Sequence, residues 1–195
     1  MGLRENIGEA LARLPLRRLS GGYQREAAVL MLIFERAGDF HFLLTRRTEE
    51  VSTHKGQISF PGGMRQNSES LQETALRETR EEVGIEEKRI EILGRFHDYL
   101  SITGHLVVPF VGYISGDFST TPQNQEVAEV LEVPFRIFLD PARLRTERML
   151  RSGRFQEVYF YRFEPHKIWG LTALILKDFF DEPEFGFARD LPGSN

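Results

Sequence analysis

Apolar residues fall into short blocks whose period changes along the chain. Ile7, Ala10, Leu11 and Leu14 recur at helical spacing, so residues 3–14 read as an amphipathic helix that Pro15 ends. Ala27–Phe34 (AAVLMLIF) is unbroken apolar sequence and predicts a buried strand. A second strand is expected over Phe40–Arg46, with Arg36-Ala37-Gly38-Asp39 as the hairpin turn between them. Residues 48–63 then form a long loop ending in Phe60-Pro61-Gly62-Gly63, and a loop of that length in a compact domain is more often functional than idle.

Ser70-Leu71-Gln72-Glu73 matches a capping box, which starts a helix over about 71–82, and Gly84 is placed to end it in a left-handed conformation. Strands are expected at about 90–96 and 105–114, a polar loop over 116–125, and a strand over Glu126–Val133 leading into a short helical turn from Pro134 to Leu139. Met149–Arg151 and Phe155–Phe163 suggest a hairpin around Ser152-Gly153, and Ile168–Phe180 the last helix, with Trp169 as its buried anchor. The tail 181–195 is acidic and rich in Gly and Pro, so it is expected to be loosely held. The whole, 1–195, reads as one domain with residues 1–22 as a helical N-terminal extension.

Composition narrows the chemistry. The chain has 195 residues, no cysteine, and 25 Lys+Arg against 29 Asp+Glu, a net charge of -4. Missing cysteine excludes disulfides, thiolate metal sites and a cysteine nucleophile. The acidic balance argues against a nucleic-acid partner. The longest apolar run is far short of the about 20 residues a membrane helix needs, and the N-terminus lacks a signal-peptide core. A soluble, cytoplasmic protein is expected, with its oligomeric state undetermined by sequence. No GxSxG, P-loop, GxGxxG or HExxH motif occurs.

Charged chemistry concentrates in Arg77-Glu78-Thr79-Arg80-Glu81-Glu82-Val83-Gly84. At helical spacing Glu78, Glu81 and Glu82 share an arc of about 100°. Like charges this close raise one another's pKa unless cations neutralise them, and all-oxygen donors suit Mg²⁺ or Mn²⁺. The same segment also reads as a solvated helix face with Arg77, Arg80 and Lys88 pairing the acids. Gly62-Gly63 just upstream lets backbone approach a metal or a phosphate without Cβ interference.

From Gly63 through Glu69 to Arg77–Ile85 the sequence resembles the Nudix box, G-x5-E-x7-R-E-U-x-E-E-x-G-U with U bulky and apolar; only Thr79, at a U position, departs. The resemblance implies an α/β/α sandwich with a mixed central sheet, and hydrolysis of a nucleoside diphosphate linked to another moiety. It implies that Glu78, Glu81 and Glu82 bind Mg²⁺ or Mn²⁺ with the Gly62 carbonyl, that Arg77 orients these acids, and that Glu69 partners Arg77 rather than the metal. The resemblance likewise implies a small nucleotide as substrate.

Leu43, Leu44, Thr45, Arg47, Gly56, Phe60, Pro61, Gly62 and Gly63 are similar to the motif of the coenzyme A pyrophosphatase branch, L-L-T-x-R-[SA]-x3-R-x3-G-x3-F-P-G-G. Thr48 and Ser52 depart, and Ser52 removes an arginine whose charge serine cannot replace. Softer likenesses follow at 103–109, 124–134 and 168–173. This resemblance implies cleavage of coenzyme A to 3′,5′-ADP and 4′-phosphopantetheine, with Arg47, His54, Lys55 and Gly63 meeting the substrate. Glu126 is a further candidate acid, or a solvated strand-end carboxylate. The competing readings are a Nudix hydrolase of an ADP-sugar, NADH or a damaged nucleoside triphosphate, and a catalytically inert nucleotide-binding domain.

Overall fold

The computed structural model describes residues 2–49, 56–151 and 154–187. His54, Lys55 and Ser52 lie outside the described residues, as does Ser152-Gly153 at the hairpin turn. The helices are α1 (Leu3–Arg13), α2 (Leu71–Val83), α3 (Arg136–Leu139) and α4 (Leu171–Asp181). The strands in chain order are β1 (Glu26–Arg36), β2 (Asp39–Arg47), β3 (Ile58–Ser59), β4 (Gly62–Met64), β5 (Glu91–Arg95), β6 (Tyr99–Leu100), β7 (Leu106–Tyr113), β8 (Val127–Pro134), β9 (Leu144–Arg151), β10 (Arg154–Phe163) and β11 (His166–Trp169).

Among the described residues β1 to β8 form one mixed sheet: β1 and β7 run parallel, and the other pairs are antiparallel. The apolar run of β1 is continuous because both faces are covered. Ala28, Leu30, Leu32 and Phe34 pack toward Ala75 and Val83 of α2. Met31 and Ile33 point into a second core with α1 (Ile7, Ala10, Leu11) and α4 (Ile175, Leu176, Phe179). This is an α/β/α sandwich, and its two cores lie on opposite faces of one sheet.

One departure from a plain hairpin shapes the site. β1 and β2 pair only near their turn, Ile33–Arg36 against Asp39–Phe42. Beyond it they splay, and β3 pairs with β2, and β4 with β1, at the ends far from that turn. The segment expected as loop, 48–63, therefore contains strand. Its glycines permit this: a Cβ on Gly62 would sit 2.4 Å from the Ala28 carbonyl oxygen and 2.7 Å from the Val29 Cα. Neither backbone atom can move aside.

Four expectations are corrected near the C-terminus. Ile168 and Trp169 belong to β11, paired with Tyr161 and Phe160, and not to the last helix. Gly170 at φ 70° turns the chain, and α4 starts only at Leu171. Trp169 is consequently half-buried on a strand and is not the helix's buried anchor. The β9–β10 hairpin is also longer than its apolar pattern suggested, because arginines and glutamates occupy its exposed positions. Finally, the part of the tail up to residue 187 is packed: Phe185 and Phe187 are each 3% exposed. Their rings lie 4.6 and 5.1 Å from Phe179. Acidic and glycine neighbours masked two core aromatics. Among the described residues no helix is long and apolar enough to cross a membrane.

Candidate active site

The site is built where the splayed strands meet α2. Ser70 starts the helix with both capping-box bonds: its Oγ accepts the Glu73 N–H at 3.2 Å, and Glu73 accepts the Ser70 N–H at 2.7 Å. Gly84 closes it at φ 78°. The last-turn carbonyls are met by the polar loop that follows β7. Thr121 and Gln123 donate backbone N–H groups to Val83 and Glu82, and Asn124 donates its side-chain amide to Glu81. Asn124 also accepts the N–H groups of Glu126 and Val127 at 3.0 and 3.2 Å. This residue docks the loop on the helix end and aims Glu126 back at the site. Asn124 stands at the head of the 124–134 likeness, and its docking role is signalled only by its being an Asx-type residue just before a strand.

Arg77 organises the first half of α2. Its Nε and Nη2 donate to both oxygens of Glu69 at 3.0 and 2.9 Å. Nη1 donates to Glu78 at 2.8 Å and to Glu81 at 3.1 Å, and Nη2 also reaches the Met64 carbonyl. The fork geometry of a guanidinium lets one side chain clasp three acids and a backbone carbonyl. The clasp holds the Glu69 carboxyl down at about 2. Thr74 adds a hydrogen bond to the same carboxylate at 2.9 Å. Thr79, the departure from the box pattern, is fully buried and satisfies its hydroxyl by donating to the Ala75 carbonyl at 2.7 Å.

Glu78 and Glu82 lie one turn apart beside the glycine pair. A Cβ on Gly63 would fall 2.5 Å from the Glu78 carboxylate, so only glycine allows the carboxylate to lie against the backbone. Burial, opposed by Arg77, raises the Glu78 pKa. Glu82 is 6% exposed, and its Oε2 has no hydrogen-bond partner among the described residues. Burial first, and repulsion from Glu78 next, push its carboxyl up to about 8; Arg47 and the Gly62 N–H oppose this, and Glu126 adds to it.

Arg47 completes the group from the other wall. A register shift between Arg46 and Arg47 in the pairing of β2 with β8 re-aims the chain there. Arg47 donates to Glu126 at 2.7 Å, its Nε is buried without a partner among the described residues, and its backbone N–H donates to the Gln57 carbonyl. Thus Arg47, Gly62, Gly63, Glu69, Arg77, Glu78, Glu82 and Glu126 converge, whereas Glu81 stands at the exposed rim, 47% exposed.

No group of three or more His, Asp or Glu side chains closes into a ligating cluster among the described residues, since Glu78 and Glu81 are turned onto Arg77. The donor set nonetheless fits a hard divalent cation. An orphaned, buried carboxylate oxygen on Glu82 beside a second half-desolvated carboxylate is an environment that a cation relieves.

A mixed sheet between helical layers, opened by a glycine pair onto a clasped carboxylate helix, is the arrangement of a Nudix domain. The chain belongs to the Nudix family: the NUDIX domain family model matches residues 24–160. It is similar to the uncharacterized Nudix hydrolase NudL of Photorhabdus laumondii, 39% identical over 163 residues, 83% of this chain and 86% of that one. NudL of Yersinia pestis (strain Pestoides F) is 37% identical over 154 residues, 78% and 77% of the two chains. Among solved structures, a MutT/nudix family protein from Enterococcus faecalis superposes with a TM-score of 0.53 at 19% identity, covering 92% of this chain and 69% of that one. The C. elegans Ap4A hydrolase binary complex gives 0.50 at 19%, over 58% and 82%. These two establish the fold alone. The protein is a Nudix hydrolase, which acts on pyrophosphate bonds of small nucleotides, and such enzymes generally need divalent metal ions.

Proposed function

We propose that this hydrolase cleaves coenzyme A and its acyl derivatives to 3′,5′-ADP and 4′-phosphopantetheine (or acyl-phosphopantetheine). The observation that carries the reading is the run Leu43-Leu44-Thr45, Arg47, Gly56 and Phe60-Pro61-Gly62-Gly63, joined to a complete box. Arg47 faces Glu82 and Glu126 across the splayed strands, which supports a role at the phosphates.

In this reading Glu78, Glu81, Glu82 and the Gly62 carbonyl would hold Mg²⁺ or Mn²⁺, and Arg77, braced by Glu69, sets the pose of Glu78. A bound divalent cation supplies charge neutralisation and Lewis acidity at the diphosphate. Arg47 reads the phosphates, and Gly63 admits them close to the backbone. Water adds to one phosphorus, the bridging P–O bond breaks, and the leaving phosphate carries away the bond's electron pair. The proton of that water passes to a box carboxylate, Glu78 or Glu82, both of which burial makes more basic. Glu126 keeps Arg47 in place, and the branch motif's likeness assigns His54 and Lys55 to the substrate as well. In this reading the enzyme acts in the cytoplasm.

A second reading is favoured by Ser52, which stands where the branch motif has arginine: an ADP-sugar, NADH or a damaged nucleoside triphosphate as substrate. The test compares kcat/KM for coenzyme A, ADP-ribose, NADH and dGTP with Mg²⁺ or Mn²⁺. Preference for coenzyme A is expected, and Arg47→Ala should lower its kcat/KM by about 1.5–3 kcal/mol equivalent. Rapid turnover of ADP-ribose with coenzyme A left intact would install the second reading.

A further inference from the structure

The three-stranded sheet β9–β10–β11 lies outside the box at 63–85, yet it touches elements beside the site. β11 packs against β3. A Cβ on Gly170, the residue after Trp169, would be 3.6 Å from the Gln57 side-chain amide, and the Gln57 carbonyl accepts the Arg47 backbone N–H at 3.0 Å. On the other flank His166 lies 3.5 Å from Glu129, which in turn takes a hydrogen bond from Arg46 at 3.1 Å. The sheet is therefore braced against the strand that carries Arg47 at two points.

On this sheet Phe160 and Trp169 are directly opposite each other across β10 and β11. Their rings are nearly parallel, 9° apart, with centroids 6.1 Å apart. Neither belongs to a core cluster, and both are half-buried. Arg145 faces Phe160 from β9, and Lys167 lies on the same side of β11 as Trp169; both are exposed. By contrast Tyr161 and Ile168, one residue along, turn the other way into the core. The structure thus holds a paired aromatic surface flanked by Lys167 and by Arg145, which is ion-paired to Glu147 at 3.0 Å, and linked through Gln57 to the residue proposed to read the phosphates.

We infer that Phe160 and Trp169 form the platform on which the adenine of the nucleotide substrate stacks, with Arg145 and Lys167 facing its phosphates. The inference rests on the proposed reading of an adenine nucleotide diphosphate as substrate and assigns its base a place. Stacking on aromatic faces suits a purine, and flanking cations suit the phosphates it carries.

Trp169 is the chain's single tryptophan, so its fluorescence reports this surface alone. The full chain in EDTA, excited at 295 nm, is titrated with 3′,5′-ADP and, in parallel, with ribose 5-phosphate. Saturable quenching by 3′,5′-ADP and none by ribose 5-phosphate is expected, with the midpoint about tenfold higher in Phe160→Leu. Equal responses to the two ligands, or no response to either, would overturn the platform. The wild-type titration decides this even if the variant fails to fold. Coenzyme A hydrolysis without quenching refutes the platform and leaves the substrate reading intact. Quenching without coenzyme A hydrolysis supports the platform and removes the substrate reading.

Discussion

Replacing Arg77 by lysine keeps the charge and removes the fork. In the structure Arg77 spans Glu69 on one side and Glu78 with Glu81 on the other, and Arg77, Glu69 and Glu78 are only 16%, 18% and 17% exposed. An ammonium on a flexible stem can meet one of these acids at a time. The variant should keep one charge-assisted contact and lose the other, each worth about 1.5–3 kcal/mol. The bond to the half-exposed Glu81 adds about 0–1 kcal/mol. A net loss of about 2–3 kcal/mol follows, which at a urea slope of roughly 2 kcal/mol/M lowers the unfolding midpoint by about 1–1.5 M. Arg80→Lys is the control: Arg80 and Glu87 are 48% and 44% exposed, and a change within about 0.5 kcal/mol is expected. Acid gives the second arm. The Glu69 carboxyl is held at about 2 in the folded state against 4.5 ordinarily. Its stabilisation is therefore complete above about pH 4.5 and is lost as pH falls toward 2. The gap between wild type and Arg77→Lys should narrow over that interval. A midpoint unchanged at pH 7, or a gap that widens on acidification, would refute the clasp as the source of stability.

Glu82 behaves with the opposite sign: its folded pKa is raised to about 8, so metal-free stability falls as pH rises from about 4.5 to 8. In EDTA, Glu82→Gln should match wild type near pH 4.5 and exceed it at pH 8, while Mn²⁺ raises Tm in wild type only; melts that show neither would contradict the orphan-carboxylate account. Gly63→Ala first meets the Glu78 carboxylate, the far end of a flexible side chain, and should spare stability while lowering kcat about 100-fold or more, whereas Gly62→Ala meets backbone and should cost about 1–3 kcal/mol in urea. Phe185→Ala should cost about 3–5 kcal/mol of unfolding free energy, since its ring is packed among Phe96, Phe179 and Phe187; a loss below 1 kcal/mol would return that segment to the status of a loose tail.

What could be read from sequence was what local chemistry fixes. The capping box, the Gly84 stop and the 3.6-residue spacing of Glu78, Glu81 and Glu82 are all contained within α2. The apolar run of β1 announced a strand buried on both faces. The remainder depends on contacts distant in sequence. β3 and β4 are too short for periodicity to show, and they exist because β1 and β2 splay. Ile168-Trp169 joined the apolar pattern of the following helix, and only pairing with β10 makes it strand. The Arg47–Glu126 contact links residues 79 positions apart, and Asn124 matters through carbonyls that α2 leaves unmet. Neither partner can be read from local composition, although Asn124 carries the Asx signal of a strand start.

The most direct measurement of the central claim is the products of coenzyme A in H₂¹⁸O with Mn²⁺, read by mass spectrometry. Expected are 3′,5′-ADP and 4′-phosphopantetheine in equal amounts, with one ¹⁸O in one of the two phosphates formed from the diphosphate and none in the other or in the 3′-phosphate. Intact coenzyme A, or release of inorganic phosphate with dephospho-coenzyme A in place of that pair, would contradict the coenzyme A reading.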